Sequence, residues 1–274
     1  MDNCTKCRRI TVKIGSSTLT HSSTGRLNIR RMESLCRTLS DIKNSGREVV
    51  LVSSGAVAAG SSKLGLPVKK RTLSEKQALA AVGQTELMRM YERLFAGYGY
   101  NVGQVLMTKD VVDNPHRLEL ARNTFSTLFS LGCIPIVNEN DSISSEELQF
   151  GGNDTLSAYV SVICNSDLLV NLSDIDGLYN SDPRKNPDAQ LISRVERIDE
   201  HILACAGGAG TEFGTGGMTT KLKAAQFVCS AGIPMLILNG KNPEVLYSII
   251  DGKKIGTYFC PDSKAKTERK KNHE

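Results

Sequence analysis

Six short runs of this chain are apolar almost without interruption, and segments with helical patterning separate them. The runs are RITVKIG (9–15), VVLVSSG (49–55), NVGQVLM (101–107), CIPIVN (133–138), DLLVNLS (167–173) and PMLILN (234–239). A strand with one wet face alternates apolar and polar residues. A run rich in Val, Ile and Leu instead marks a strand covered on both faces. The spacing predicts helices over 27–45, 74–95 with Ser74 as the cap, 114–131, 153–164 and 218–231. Strands buried on both faces and joined through helices imply an α/β chain, a three-layer αβα sandwich around a mainly parallel sheet.

The same sequence excludes several classes of protein. No stretch approaches the roughly 20 consecutive apolar residues of a membrane span, so no membrane association is expected. The start, MDNCTKCRR, lacks the apolar core of a secretory signal. Of the eight cysteines only Cys4 and Cys7 form a CxxC pair, and no second pair completes a zinc site. Several of the others, such as Cys133 and Cys164, sit in apolar runs as small hydrophobes, so reduced thiols in a cytoplasm are expected. The formal charge of +5 lies at the ends. Residues 263–274 carry five cations against two carboxylates, residues 1–9 carry three against one, and the body between is neutral. A nucleic-acid binder needs a basic face on its folded part, so no nucleic acid is expected. The last twelve residues, SKAKTERKKNHE, have no apolar face and are expected to be disordered.

In an open parallel sheet, ligands bind beyond the carboxyl ends of the strands. The residues leaving those strands are KIGSS, SSGAVAAG, NENDS and SDIDGLY. No P-loop, dinucleotide fingerprint, protein-kinase signature or nucleophile elbow is present. Lys13 lies inside the first apolar run, where a cation is costly unless it meets an anion; the plainer reading is a lysine on an exposed edge. Ser54 and Gly55 close the second run, and either is an adequate helix cap without further function. Asn138-Glu-Asn-Asp141 and Gly151-Gly-Asn-Asp154 allow a plain turn or cap reading as well. A glycine loop, Gly214-Thr-Gly-Gly-Met-Thr-Thr-Lys221, opens a helix, and its lysine taken alone reads as solvated. Together, two lysines, glycine loops and carboxylates at strand ends form the equipment of phosphoryl transfer, in which positioning and cationic stabilisation do most of the catalysis. ATP and Mg²⁺ are the implied cofactors, with the cation bridging nucleotide phosphates. No histidine stands as a base, and a carboxylate acceptor needs none.

With these segments in view, the sequence resembles the amino acid kinase family, in its glutamate-phosphorylating branch. VKIGSSTLT, LVSSGAVAAG, AAVGQTELM, VGQVLMT, IPIVNENDSIS, GGNDTLSA, LSDIDGLYNSDPRKNP and FGTGGMTTKLKAA occur in the family's order over 10 to about 260. The resemblance implies transfer of the ATP γ-phosphoryl group to the side-chain carboxylate of L-glutamate, the first step of proline synthesis. It implies that Lys13 contacts the ATP phosphates, Lys221 stabilises the moving group and Asp154 orients both lysines. It places Ser54, Gly55, Asp141 and Asn153 at glutamate, and Gly15, Ser173, Asp174, Thr215, Gly216, Gly217, Met218, Thr219 and Thr220 with the lysines at the nucleotide. It divides the chain into a polar extension (1–9), a kinase domain (10–262) whose part to about 165 binds glutamate while the remainder binds ATP, and the basic tail. A homo-oligomer and a functional link to glutamyl phosphate reductase are also implied. The chain departs from the family at Gly152, where an aspartate is usual, and it resembles the short form without a PUA domain. A sibling kinase for another carboxylate, a carbamate or a nucleoside monophosphate remains an alternative, as does a non-catalytic binding protein on the same fold.

Overall fold

The computed structural model describes residues 4–67, 71–144, 150–206 and 217–271. Each apolar run becomes a strand: β1 (Arg9–Ile14), β2 (Glu48–Ser53), β3 (Val102–Met107), β4 (Ile134–Glu139), β5 (Leu168–Ser173) and β7 (Met235–Asn239). Two short strands without a strong signal, β6 (Arg194–Val195) and β8 (Thr257–Phe259), extend one edge. The order across the sheet is β3-β4-β2-β1-β5-β7-β8-β6. Every neighbouring pair is parallel except β7 and β8.

The expected helices form as α2 (Ile29–Asn44), α4 (Leu73–Ala96), α6 (Pro115–Ser130), α7 (Asn153–Ile163) and α9 (Met218–Ser230). Shorter ones add α1 (Ser16–Leu19), α3 (Ala56–Lys63), α5 (Asp110–Asp113), α8 (Glu200–Cys205), α10 (Val245–Ile250) and α11 (Ser263–Lys271). The cap of α4 is Thr72, not Ser74. Thr72 and Glu75 close a reciprocal capping box, which satisfies two otherwise orphaned N–H groups, whereas Ser74 lies within the first turn.

The alternation of side chains along the strands divides the core. Ile10, Val12 and Ile14 of β1 face α2, α4 and α10, in one cluster with Leu35, Tyr91 and Ile249. On the opposite face, α6 and α7 cover Val50, Val52 and Val137, while α9 covers Leu169, Met235 and Ile237. That second face also carries polar positions near the carboxyl ends of the central strands. Lys13 of β1 and Asn171 of β5 are direct register partners, both buried. At 25–30 cal/mol per Å² an apolar residue at either place would be worth about 2 kcal/mol. Some other interaction must therefore compensate for the two polar groups.

α3 and α4 cross at unusually close range. A Cβ on Gly83 would fall 1.7 Å from the Ala56 carbonyl oxygen, and one on Gly60 would fall 2.0 Å from that of Leu79. Only a residue without a side chain permits this approach. The contact fixes α3, which starts directly after β2.

Both chain ends contribute to the fold. The 1–9 segment is expected to be a polar extension, yet Cys4 and Cys7 are buried in the larger core cluster. Asp167 accepts the N–H groups of Arg8 and Arg9 at 2.8 and 2.9 Å. A hydrogen bond shared with Cys4, together with burial, pushes the Cys7 thiol well up, so Cys7 is packed material rather than a reactive thiolate. The expectation of a disordered tail is also not met, because residues 263–271 form α11. Its anchor is not an apolar stripe but Arg269, which donates to Asn165 Oδ1 at 2.7 Å and to the carbonyls of Asn165 and Ser166 at 2.9 and 2.6 Å. Asn165 itself is left-handed, with φ 55°. Arg269→Ala strips these carbonyls of a charged donor. We expect a loss of roughly 1.5–3 kcal/mol of stability, read as a lowered urea midpoint. An unchanged midpoint would show that α11 adds nothing.

Candidate active site

The carboxyl ends of β1, β2, β4 and β5 meet along one edge of the sheet. Lys13, next to last in β1, points from there into the layer under α7 and α9. The first turn of α7 brings Asp154 over it, and the first turn of α9 brings Lys221. Lys13 Nζ lies 2.5 Å from Asp154 Oδ1, and Lys221 Nζ lies 3.1 Å from Asp154 Oδ2. Asn171 Nδ2 donates to Oδ1 at 2.8 Å and Thr220 Oγ1 to Oδ2 at 2.9 Å. Both oxygens of one carboxylate are thereby saturated. The three charged residues are 2–5% exposed.

The electrostatics follow from burial and proximity. Burial pulls the Lys13 ammonium below its ordinary value and Lys221 adds to this, against the attraction of Asp154. Burial alone would raise the Asp154 carboxyl, but Lys13 and Lys221 outweigh it and hold it well below the usual carboxylate range. Among the described residues two buried cations pair with one anion, a local excess of positive charge that the exposed Asp174 offsets only in part. A buried site with that excess attracts an anion, and phosphoryl oxygens supply one. Gly15 leaves the approach open: a Cβ there would stand 3.5 Å from Lys13 Nζ.

A neutral polar chain runs from the same helix start. Asn153 Nδ2 donates to Ser54 Oγ at 2.7 Å and to Asn138 Oδ1 at 2.9 Å. Asn138 Nδ2 in turn donates to Gln84 Oε1 at 3.0 Å. Gly55, left-handed at φ 110°, turns the chain from β2 into α3 and so presents Ser54. Beside this chain, burial and the neighbouring Glu139 push the Asp141 carboxyl up to about 6. Glu139 is buried and accepts from Ser144 Oγ at 3.2 Å and the Phe150 N–H at 3.0 Å.

The structure thus gathers Lys13, Asp154, Lys221 and Thr220 in one cluster, and Ser54, Asn138 and Asn153 in an adjoining one. Ser173 lies at the end of β5 and donates to the exposed Asp174 at 3.1 Å. Gly217 precedes α9, Met218 packs into the α9 core and Thr219 is exposed. Thr215 and Gly216 lie outside the described residues. Asn171 and Gln84 are components that the sequence reading did not select, and Glu139 entered it only within the Asn138-Glu-Asn-Asp141 run. The signal that exposes Lys13, a polar residue inside an apolar run, applies equally to Asn171.

A model of the amino acid kinase family matches residues 8–239. The chain belongs to this family. Within it, the chain is 53% identical to the glutamate 5-kinase of Clostridium tetani over 252 residues, 92% of this chain and 94% of that one. It is 48% identical to the glutamate 5-kinase of Listeria monocytogenes over 257 residues, 92% and 93% of the two chains. The glutamate 5-kinase of Carboxydothermus hydrogenoformans is longer: 51% identity covers 94% of this chain but 69% of that one. Among solved structures, the UMP kinase of Bacillus anthracis superposes with a TM-score of 0.64 at 18% identity, covering 94% and 97%. The isopentenyl phosphate kinase of T. acidophilum follows at 0.62 and 20%, covering 92% and 99%. At such identities the likeness is one of fold, and it matches the sandwich expected of the family.

Asp154→Asn leaves two buried cations facing a neutral amide, so it should cost about 3–5 kcal/mol of stability. Adding Lys13→Met removes one of them, and the double variant should regain at least half of that loss in urea unfolding. Additive destabilisation in the double variant would show that the cluster is not electrostatically coupled.

Proposed function

We propose that this chain transfers the γ-phosphoryl group of ATP to the side-chain carboxylate of L-glutamate, forming L-glutamyl 5-phosphate and ADP. The observation that carries the reading is the buried Lys13–Asp154–Lys221 cluster at the carboxyl edge of the sheet. Relatives of nearly equal length and about half identical sequence bear the same activity in their names.

Glutamate occupies the side of Ser54, Asp141 and Asn153, and ATP the side of Ser173, Asp174 and the start of α9. A carboxylate oxygen of glutamate, already deprotonated, attacks the γ-phosphorus in line. The new O–P bond forms as the bond to the β-phosphate oxygen breaks, and that electron pair leaves with ADP. Lys13 and Lys221 approach the equatorial oxygens from two sides and meet the charge that spreads there. Asp154 fixes their spacing, with Asn171 and Thr220 fixing Asp154. The excess cation exists before substrate arrives, so little reorganisation is needed at the moment of transfer.

Among the described residues no three His, Cys, Asp or Glu side chains gather as a metal site. The chain's donors therefore suit a Mg²⁺ held chiefly by nucleotide phosphate oxygens, whose charge it neutralises when bound. The acyl phosphate product is a labile mixed anhydride and calls for prompt reduction by a partner such as glutamyl phosphate reductase. A cytoplasmic setting accords with eight cysteines outside any disulfide and with the absence, among the described residues, of a helix long and apolar enough to cross a membrane. Self-association is suggested by the exposed Leu64, Leu66 and Leu73 around the α3–α4 connection.

Incubation with ATP, Mg²⁺, L-glutamate and hydroxylamine should give a glutamate-dependent hydroxamate matching ADP release. Lys13→Ala or Lys221→Ala should lower turnover by roughly 10²-fold or more. ADP release with N-acetylglutamate, aspartate or UMP but not with glutamate would move the function to a sibling kinase.

Asp141 sets a pH dependence. Its raised pKa in the folded protein means that the carboxyl favours the fold while protonated, and that this contribution is lost as pH rises through about 6. The ionised form is then strained, and a bound substrate ammonium relieves it. Glutamate binding near pH 6 should therefore release a proton, and KM for glutamate should rise as pH falls below that value. Asp141→Asn should raise KM and abolish this pH effect. A KM that stays flat from pH 5 to 7 in the unaltered enzyme would remove Asp141 from the substrate site.

A further inference from the structure

At the opposite end of the sheet, where β1, β5 and β7 begin, lies a cavity of about 630 Å³. It shares no residue with the two clusters described above. Five cations line it (Lys6, Arg8, Arg9, Lys266 and Arg269) against two carboxylates, Glu48 and Asp167. Those two carboxylates are already engaged. Glu48 holds the Arg9 guanidinium at 2.7 Å, and Asp167 accepts the backbone N–H groups of Arg8 and Arg9. Arg269 is held by the Asn165 and Ser166 carbonyls. The side chains of Lys6, Arg8 and Lys266 make no ion pair or hydrogen bond among the described residues. Five of the eight cations at the two separate ends of the sequence are thus brought by the fold to a single recess.

Part of the lining is apolar. Buried Cys4 and Cys7 and the ring of Tyr258 line the cavity, and the Arg9 guanidinium stacks 4.2 Å over the Phe129 ring. A concave site of this volume suits a small molecule, and unpaired cations select charge-assisted partners. A flat basic surface would suit an extended polymer better.

We propose that this cavity is a second ligand site, which takes a small polyanion bearing phosphate groups or several carboxylates. The ligand bridges Lys6 and Arg8 on the N-terminal segment to Lys266 on α11, and so fastens the two ends of the chain together.

The test is calorimetric titration of the full chain with inorganic pyrophosphate and, separately, citrate at low ionic strength. The comparison is with Lys6→Glu/Lys266→Glu, whose turnover should be unchanged because neither residue touches the catalytic cluster. Circular dichroism and the retained turnover check its fold, and Arg8→Gln provides a milder variant. At least one probe should bind the unaltered chain and raise its melting temperature, with affinity weakened roughly tenfold or more in the double variant and by a smaller factor in Arg8→Gln. Equal affinity in all three proteins would assign the binding to the catalytic site and overturn the proposal. So would failure of both probes to bind, or binding of a single-stranded RNA oligomer in preference to either probe.

Discussion

The central constraint in this molecule is one carboxylate shared by two buried lysines. Asp154 is saturated from both sides, by Lys13 and Asn171 on one oxygen and by Lys221 and Thr220 on the other. Desolvating three charges is expensive, and the triad retains more cation than it neutralises. Its geometry is set by elements remote from one another in sequence. The register of β1 with β5 sets Lys13 beside Asn171, and the starts of α7 and α9 converge above them. The sheet's second face is apolar around this patch, which keeps the local field strong.

α7 links the charged cluster to the neutral one. Asn153 and Asp154 are consecutive, yet Asn153 reaches Ser54 and Asn138 while Asp154 reaches the lysines. The amide of Gln84 orients Asn138, and α4, which carries Gln84, is locked to α3 through Gly60 and Gly83. Ser54 lies two residues before α3. The acceptor side is thus positioned by a helix pair whose spacing is set by the absence of two side chains, and the donor side by ion pairing.

Much of this was legible in the sequence. The apolar runs gave the strands because parallel strands are covered on both sides, and Lys13 stood out as a cation in such a run. Asn171 carries the same signal, but a neutral amide in a strand is far less conspicuous than a charge. Gln84 was hidden for a different reason: a polar residue in a long helix is ordinary, and only the tertiary approach of β4 shows that it faces inward. The short strands β6 and β8 have too few residues for a period to emerge. The tail misled because its order comes from one arginine grasping carbonyls a hundred residues away, an interaction that local composition does not encode. Thr215 and Gly216 fall outside the described residues, so the glycine loop before α9 rests on sequence alone.

The wide sequence separation within the triad bears on how the chain is made. Lys13 emerges early from the ribosome, Asp154 follows 141 residues later and Lys221 a further 67. β1 and β2 are able to pair much sooner, but the face that carries Lys13 is covered only by α7 and α9. Until those helices are made its ammonium stays in water, and the counter-ion that lets it be buried arrives with α7 itself. The long-range β1–β5 pairing belongs to the same late stage. The residue that meets the phosphate is thus among the last of the first strand to leave water.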